Sequence, residues 1–134
     1  MMKNLIAFAF SAFLLSCVGA PKTEEKSFID ENIDFARAQI GNEIGVIEAS
    51  GKCLNPVTLK IDSSVYYCGY ADWRSGFFPG SVWYLYELTG DSTLLPLAAK
   101  YTDAIEEAKN LTWHHDIGFI VNCSFGNGLR LAGT

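Results

Sequence analysis

Positive charge is scarce in this 134-residue sequence: ten Lys and Arg stand against fifteen Asp and Glu, for a net charge of −5. No basic stripe interrupts that balance, so the electrostatic footprint that phosphate backbones require is missing and nucleic acid is not an expected partner. Cysteine and histidine are sparse as well. Cys17, Cys53, Cys68 and Cys123 include no CxxC pair, and the two histidines are adjacent at His114 and His115. That spacing argues against a zinc or other metal site. No apolar run reaches the roughly 20 residues a membrane-spanning helix needs. Sustained strand alternation, βαβ rhythm, a nucleophile elbow, a phosphate-binding loop and a dinucleotide fingerprint are likewise absent. What is present is apolar and aromatic: 49% and 13% of the residues respectively. A chain of this composition buries a core instead of staying disordered, and its length suits one domain.

The first residues read as an export signal. Lys3 supplies a positive start, and Leu5 to Leu15 form an apolar run broken by Ser11. Eleven residues are too few to span a bilayer but fit a signal segment. The run ends Leu14-Leu15-Ser16-Cys17, which looks like a bacterial lipobox, in which cleavage precedes the cysteine and its sulfur takes a diacylglycerol. Acyl chains anchor by roughly 0.8 kcal/mol per buried methylene. An ordinary signal peptide with an incidental cysteine is the alternative. The expected organisation is a signal over 1–16, a lipid-anchored tether over 17–26 and a domain over 27–134, at the bacterial cell envelope. Three cysteines then remain, an odd number for internal pairing. Cys53 and Cys68 could form a disulfide in an oxidising compartment, or both could be free and partly buried.

Helical periodicity dominates the rest. Ser27 is placed to cap a first helix with Asp30 and Glu31 in its opening turn. Ile29, Ile33, Ala36 and Ile40 share one face, and Gly41 is read as its end. A long connection to Gly80 follows, with a short alternating run at Val57 to Ile61. A second helix begins near Pro79 and stops at Thr89-Gly90. Ser92 or Thr93 is expected to cap a third helix, whose inner face runs Leu97, Tyr101, Ile105 and Ala108. A loop from Leu111 to Phe119 leads to a fourth apolar segment around Ile120 to Phe125, and Gly126-Asn127-Gly128 is read as a turn or helix interruption. The class is all-α. Antiparallel helix pairs with aromatic loops at one rim fit part of an α/α barrel or solenoid, and equally a small bundle.

Two segments could carry chemistry. In Asp72-Trp73-Arg74-Ser75-Gly76-Phe77-Phe78-Pro79-Gly80, glycines and a proline permit tight packing beside three aromatic residues. Aromatic faces stack on the C–H faces of sugars, although such residues also serve as core at a helix start. In Trp113-His114-His115-Asp116-Ile117-Gly118-Phe119, a His–Asp pair could handle protons, or the histidines could satisfy backbone groups and helix ends.

The run Asp72 to Asp91 (DWRSGFFPGSVWYLYELTGD) resembles the first conserved block of glycoside hydrolase family 88, the unsaturated glucuronyl hydrolases. The run His114 to Gly133 (HHDIGFIVNCSFGNGLRLAG) resembles its second. The resemblance implies an (α/α)6 barrel that removes the 4,5-unsaturated uronic acid from the non-reducing end of glycosaminoglycan oligosaccharides, with no cofactor. In that chemistry an aspartic acid protonates C4 of the vinyl ether, water adds at C5, and the hemiketal collapses to release the next sugar. Residue by residue, it implies Asp116 as one of two catalytic carboxylates, His115 as a substrate contact, Trp73 at the sugar-binding rim and Phe77 as an aromatic beside it. The family's second aspartate falls in a later block, past Thr134. A complete ring needs roughly 250 residues or more. The chain is therefore expected to hold the N-terminal part of the barrel, to be catalytically incomplete alone, and to self-associate through helix faces left without partners. A non-catalytic glycan-binding or non-functional lipoprotein remnant is the alternative.

Overall fold

The computed structural model describes residues 26–113 and 115–133. The expected signal segment, the expected tether up to residue 25 and the expected lipidation site Cys17 lie outside the described residues. Helix α1 spans Phe28–Ser50. As expected, Ser27 accepts a hydrogen bond from the Asp30 amide, at 3.2 Å. The helix does not stop at Gly41, however. It runs on to Gly51, whose φ of 68° ends it in the left-handed conformation that glycine adopts without strain. Gly41 stays helical because the apolar face continues past it. Ile33, Ala36 and Ile40 are half-buried, and Ile44 and Ile47 are buried, at spacings of three and four that keep one side against the core. Ile29 is exposed.

The long connection contains a hairpin that qualifies the all-α expectation. Strands β1, Asn55–Leu59, and β2, Val65–Cys68, pair antiparallel, with a register irregularity between Pro56 and Thr58. The Asp62 carboxylate shapes the turn by accepting from the Ser64 amide and hydroxyl. Tyr67 ties the hairpin to α1 by donating to Glu43 at 2.7 Å. Cys53 and Cys68 are both free thiols, the first exposed and the second buried.

Helix α2 spans Phe77–Thr89 and α3 spans Leu94–Asp103. Thr93 stands at the N-cap of α3, one of the two expected positions, but its side chain makes no capping hydrogen bond. The Asp91 carboxylate does the work at this turn, accepting from the Thr93 amide and hydroxyl and meeting Arg37 of α1. Ile44 and Ile47 pack with Phe78, Val82, Trp83, Leu85, Leu94, Ala98 and Tyr101 in the main core. The indole N–H of Trp83 donates to Thr102 at 3.0 Å, so this buried side chain leaves no polar atom unpaired. Tyr101 packs edge-on against Phe78 and donates to Glu48 at 2.7 Å. Lys100 donates to both Glu48 oxygens.

The third helix is shorter than its apolar face predicts. It ends at Asp103, and a 3₁₀ segment follows over Glu106–Asn110. That break sends Ile105 and Ala108 away from the main core to meet Ile120 in a second, smaller one. The chain closes with a single helical run: α4, Ile117–Val121, a π-helical stretch, Asn122–Gly126, and α5, Asn127–Ala132. Gly126 to Gly128 thus mark an interruption inside a helix, one of the two outcomes their composition allows.

Two glycines, Gly76 at the N-cap of α2 and Gly80 in its first turn, bring the start of α2 against α4 and the π-helical stretch. A Cβ on Gly76 would lie 2.5 Å from the Ile120 carbonyl oxygen and 2.7 Å from its Cα, and one on Gly80 would lie 2.7 Å from the Cys123 carbonyl oxygen. Gly41 and Gly45, by contrast, face open space. Gly76→Ala is expected to destabilise the chain by about 1–3 kcal/mol, the usual consequence of overpacking, and more than Gly80→Ala. Gly41→Ala should instead stabilise α1 by roughly 0.5–1 kcal/mol through backbone entropy. Urea midpoints test the ordering, and its reversal would contradict the packing.

Hydrogen bonds from Lys100 and then Tyr101 hold the Glu48 carboxyl below its ordinary 4.5. A carboxylate with a lowered folded-state value adds stability above its unfolded value, and that stability is lost as pH falls through the folded value. Part of the acid unfolding below pH 4.5 is therefore expected to disappear in Glu48→Gln, as read by far-UV circular dichroism against pH. An unchanged acid limb would remove Glu48 from that role.

Candidate active site

The geometry of the rim follows from the glycine contact. With the start of α2 pressed against α4 and the π-helical stretch, the residues at this edge converge: Trp73 just before α2, Phe77 in its first turn, and Phe119 in α4. Their rings form a trio with centroids 5.6 Å (Trp73–Phe77), 5.9 Å (Trp73–Phe119) and 6.1 Å (Phe77–Phe119) apart, all edge-to-face. This arrangement suits the ring quadrupoles. All three remain partly exposed, so the cluster presents an apolar surface at the rim.

Trp73 sits in a braced turn. Arg74 donates from Nε and Nη2 to the two Asp72 oxygens at 2.8 and 2.7 Å, and its amide donates to Asp72 Oδ1 at 3.0 Å. The guanidinium lies 5.8 Å from the Tyr66 ring centre and 5.9 Å from that of Trp73, within cation–π range. Ser75, fully buried, donates to the Tyr70 carbonyl at 3.0 Å. Arg74 and Tyr66 were not singled out in the sequence. The i, i+2 Asp–Arg pair around a tryptophan was the available signal.

Asp116 directly precedes α4, and its carbonyl accepts from the Phe119 amide. Its carboxylate meets His115 Nδ1 at 3.0 Å. The His115 side chain is 89% exposed and that of Asp116 only 31%. His114 lies outside the described residues. Two depressions share this pair. One, of about 430 Å³, is lined by His115, Asp116, Gly118, Phe119, Asn122 and Cys123. The other, of about 490 Å³, is lined by Trp73, Trp113, His115 and Asp116. Both sizes fall in the range of small-ligand sites, about 300–1,000 Å³. Asp116, His115 and Trp73 therefore stand together, with Phe77 behind Trp73. Asp116 is the one carboxylate that lines either depression among the described residues. Burial pushes the Cys123 thiol up, so it is not a ready nucleophile at neutral pH.

The π-helical stretch fixes the far wall. Ser124, fully buried, donates to the Ile120 carbonyl at 2.5 Å, and Asn127 donates to the Cys123 carbonyl at 2.9 Å. These side chains satisfy carbonyls on the same segment that the two glycines touch.

A rim of aromatic rings and a carboxylate stands on paired helices that form a section of an α/α barrel. No family model matches the chain. Individual proteins do. The chain is 51% identical over 59 residues, 44% of its length, to an unsaturated glucuronyl hydrolase of Formosa agariphila. It is 37% identical over 57 residues, 40% of its length, to another from Bacillus sp. strain GL1. Each match spans 15% of the relative. The crystal structure of an unsaturated glucuronyl hydrolase specific for heparin superposes with a TM-score of 0.70 and 32% identity, over 79% of this chain and 28% of that one. The resemblance read from the sequence therefore holds in both sequence and fold: the chain is similar to part of an unsaturated glucuronyl hydrolase, and its helices form part of an α/α barrel.

Replacing Ser124 with alanine removes its hydrogen bond to the buried Ile120 carbonyl. Ser124→Ala is expected to lower stability by about 0.5–1.5 kcal/mol, the usual net share of one hydrogen bond. Equilibrium urea unfolding would measure it, and a neutral substitution would show that the hydroxyl does not hold the π-helical stretch.

Proposed function

We propose that this chain supplies one catalytic carboxylate and the sugar-binding rim of an unsaturated glucuronyl hydrolase acting on glycosaminoglycan fragments. The observation that carries this reading is the position of Asp116 at the junction of the two depressions, flanked by His115 and walled by Trp73. In the reaction implied by the relatives, protonation of C4 moves the enol-ether electrons so that positive charge develops on C5 and the ring oxygen. Water adds at C5 and loses a proton. The hemiketal then opens to a ketone, and the anomeric carbon releases the next sugar as an alcohol. Asp116 takes part in the proton transfers of this sequence, His115 orients the carboxylate and contacts substrate, and Trp73, backed by Phe77, holds the sugar. The lipobox-like Leu14 to Cys17 supports placing this activity at the bacterial envelope, tethered by lipid at Cys17.

That Asp116 is the one carboxylate lining either depression among the described residues favours a second reading for the isolated chain, that of a glycan-binding protein without turnover. A shared proton economy between two carboxylates is the usual means of keeping one protonated near neutral pH. The two readings separate in one experiment. This chain's residues would replace the matched segment of the Formosa agariphila enzyme, and loss of enol-ether absorbance would be followed with unsaturated heparin and chondroitin disaccharides. The enzyme reading expects the chimera to turn over, and Asp116→Asn to lower kcat by about 10²–10⁴-fold, the usual share of general acid–base catalysis. A folded chimera that binds disaccharide without turnover would favour the binding reading, and full activity in Asp116→Asn would sink the role of Asp116.

A further inference from the structure

Trp113 has no part in the site as drawn so far, yet its exposure is unusual. The indole is 72% exposed, well above Trp73 at 41%, and Trp83 is buried in the core. A tryptophan this exposed presents one of the largest apolar surfaces a side chain offers for recognition. It is also not isolated. Trp113 and Trp73 are two of the four residues that line the 490 Å³ depression, the others being His115 and Asp116. Two indoles thus wall a space that ends on the carboxylate. The neighbouring depression, across Asp116, is lined by Phe119, Asn122 and Cys123 and contains no tryptophan.

The geometry points to Trp113 as a specificity-determining residue that stacks on the sugar following the unsaturated uronate, the one released by the reaction. This inference rests on the proposed function and deepens it. A carboxyl that serves a glycosidic unit from the junction of two depressions places one ring on each side of itself. The chemistry of the rings then decides which side is which. Indole faces attract the polarised axial C–H groups of a chair pyranose. The C4=C5 double bond flattens the terminal uronate, removes the C5 hydrogen and turns the C4 hydrogen into the ring plane, so that ring offers fewer axial C–H groups to two tryptophan walls. The saturated chair of the next residue, an N-acetylated or sulfated hexosamine in a glycosaminoglycan, keeps its axial C–H groups. The tryptophan-walled depression therefore takes the saturated ring, and the depression lined by Asn122 and Phe119 takes the unsaturated one. Trp73 lies in the aromatic trio between them and serves both.

The test is a calorimetric titration of the chain and its variants with two probes: an unsaturated chondroitin disaccharide, and the methyl glycoside of the 4,5-unsaturated uronate, which lacks the second sugar. Trp113→Ala is expected to weaken the disaccharide about tenfold and the methyl glycoside less than twofold. Trp113→Phe should recover most of the loss, because it restores an aromatic face. Far-UV circular dichroism establishes that each variant is folded, which its exposure favours. If wild type binds the disaccharide and Trp113→Ala binds it equally well, the inference is overturned while the proposed function stands. An equal loss for both probes also overturns it, since Trp113 would then not distinguish the rings. Failure of the wild-type chain to bind either probe would count against the proposed function itself.

Discussion

Everything at the rim depends on how closely two backbones can approach. Gly76, at the N-cap of α2, and Gly80 lie one helical turn apart, and each occupies a place where a methyl group would strike the main chain of Ile120 or Cys123. Contact at that distance sets the relation of the two helices without relying on the shape of any side chain. Trp73, Phe77 and Phe119 meet because their helices do. Asp116, immediately before α4, is carried to the same edge. The aromatic trio and the carboxylate are thus consequences of two missing side chains, and the larger groups around them fill in a geometry already decided.

The supports of this contact lie on both sides. On the α2 side, Phe78, Val82, Trp83 and Leu85 anchor the helix in the main core against α1 and α3. Below α4, Ile120 is buried with Ile105 and Ala108. These last two reach it only because α3 gives way to a 3₁₀ segment. The hairpin contributes from outside, through Tyr67 on Glu43 and Tyr66 beside Arg74. Its position links α1 to the turn that presents Trp73.

Much of this was readable from residue order, and the failures are instructive. The Ser27 cap, the α2 start near Pro79 and the grouping of Trp73 with Asp116 follow from local chemistry and from motif resemblance. Gly41 was misread because a glycine is a helix stop only when the apolar face ends with it, and here Ile44 and Ile47 extend that face. Ile105 and Ala108 continue the spacing of Leu97 and Tyr101, so periodicity cannot report that the helix breaks between them. The hairpin is short, and its turn carries Ser63 at a positive φ of 66° in place of a glycine or asparagine, which hides it from turn signals. Gly76 and Gly80 were visible as permissive residues, but what they permit depends on a partner forty residues away. One depression is lined within the single segment from His115 to Cys123, but the other needs Trp73 from a distant turn, which no one segment reveals.

The π-helical stretch has a meaning beyond its hydrogen bonds. One surplus residue in a helix is a phase offset: it turns everything after it by about 100° relative to what came before. Without it, the face of Ile117 and Ile120 would continue uninterrupted into α5. With it, Leu131 comes round to the main core, and Arg130 meets Glu87 of α2 through bonds of 2.5 and 2.8 Å. Asn122 and Cys123 meanwhile stay at the wall of the depression. The helix therefore reads in two rotational frames, one serving the rim and the other the fold, and a single-residue deletion between Asn122 and Gly126 would force it to choose between them.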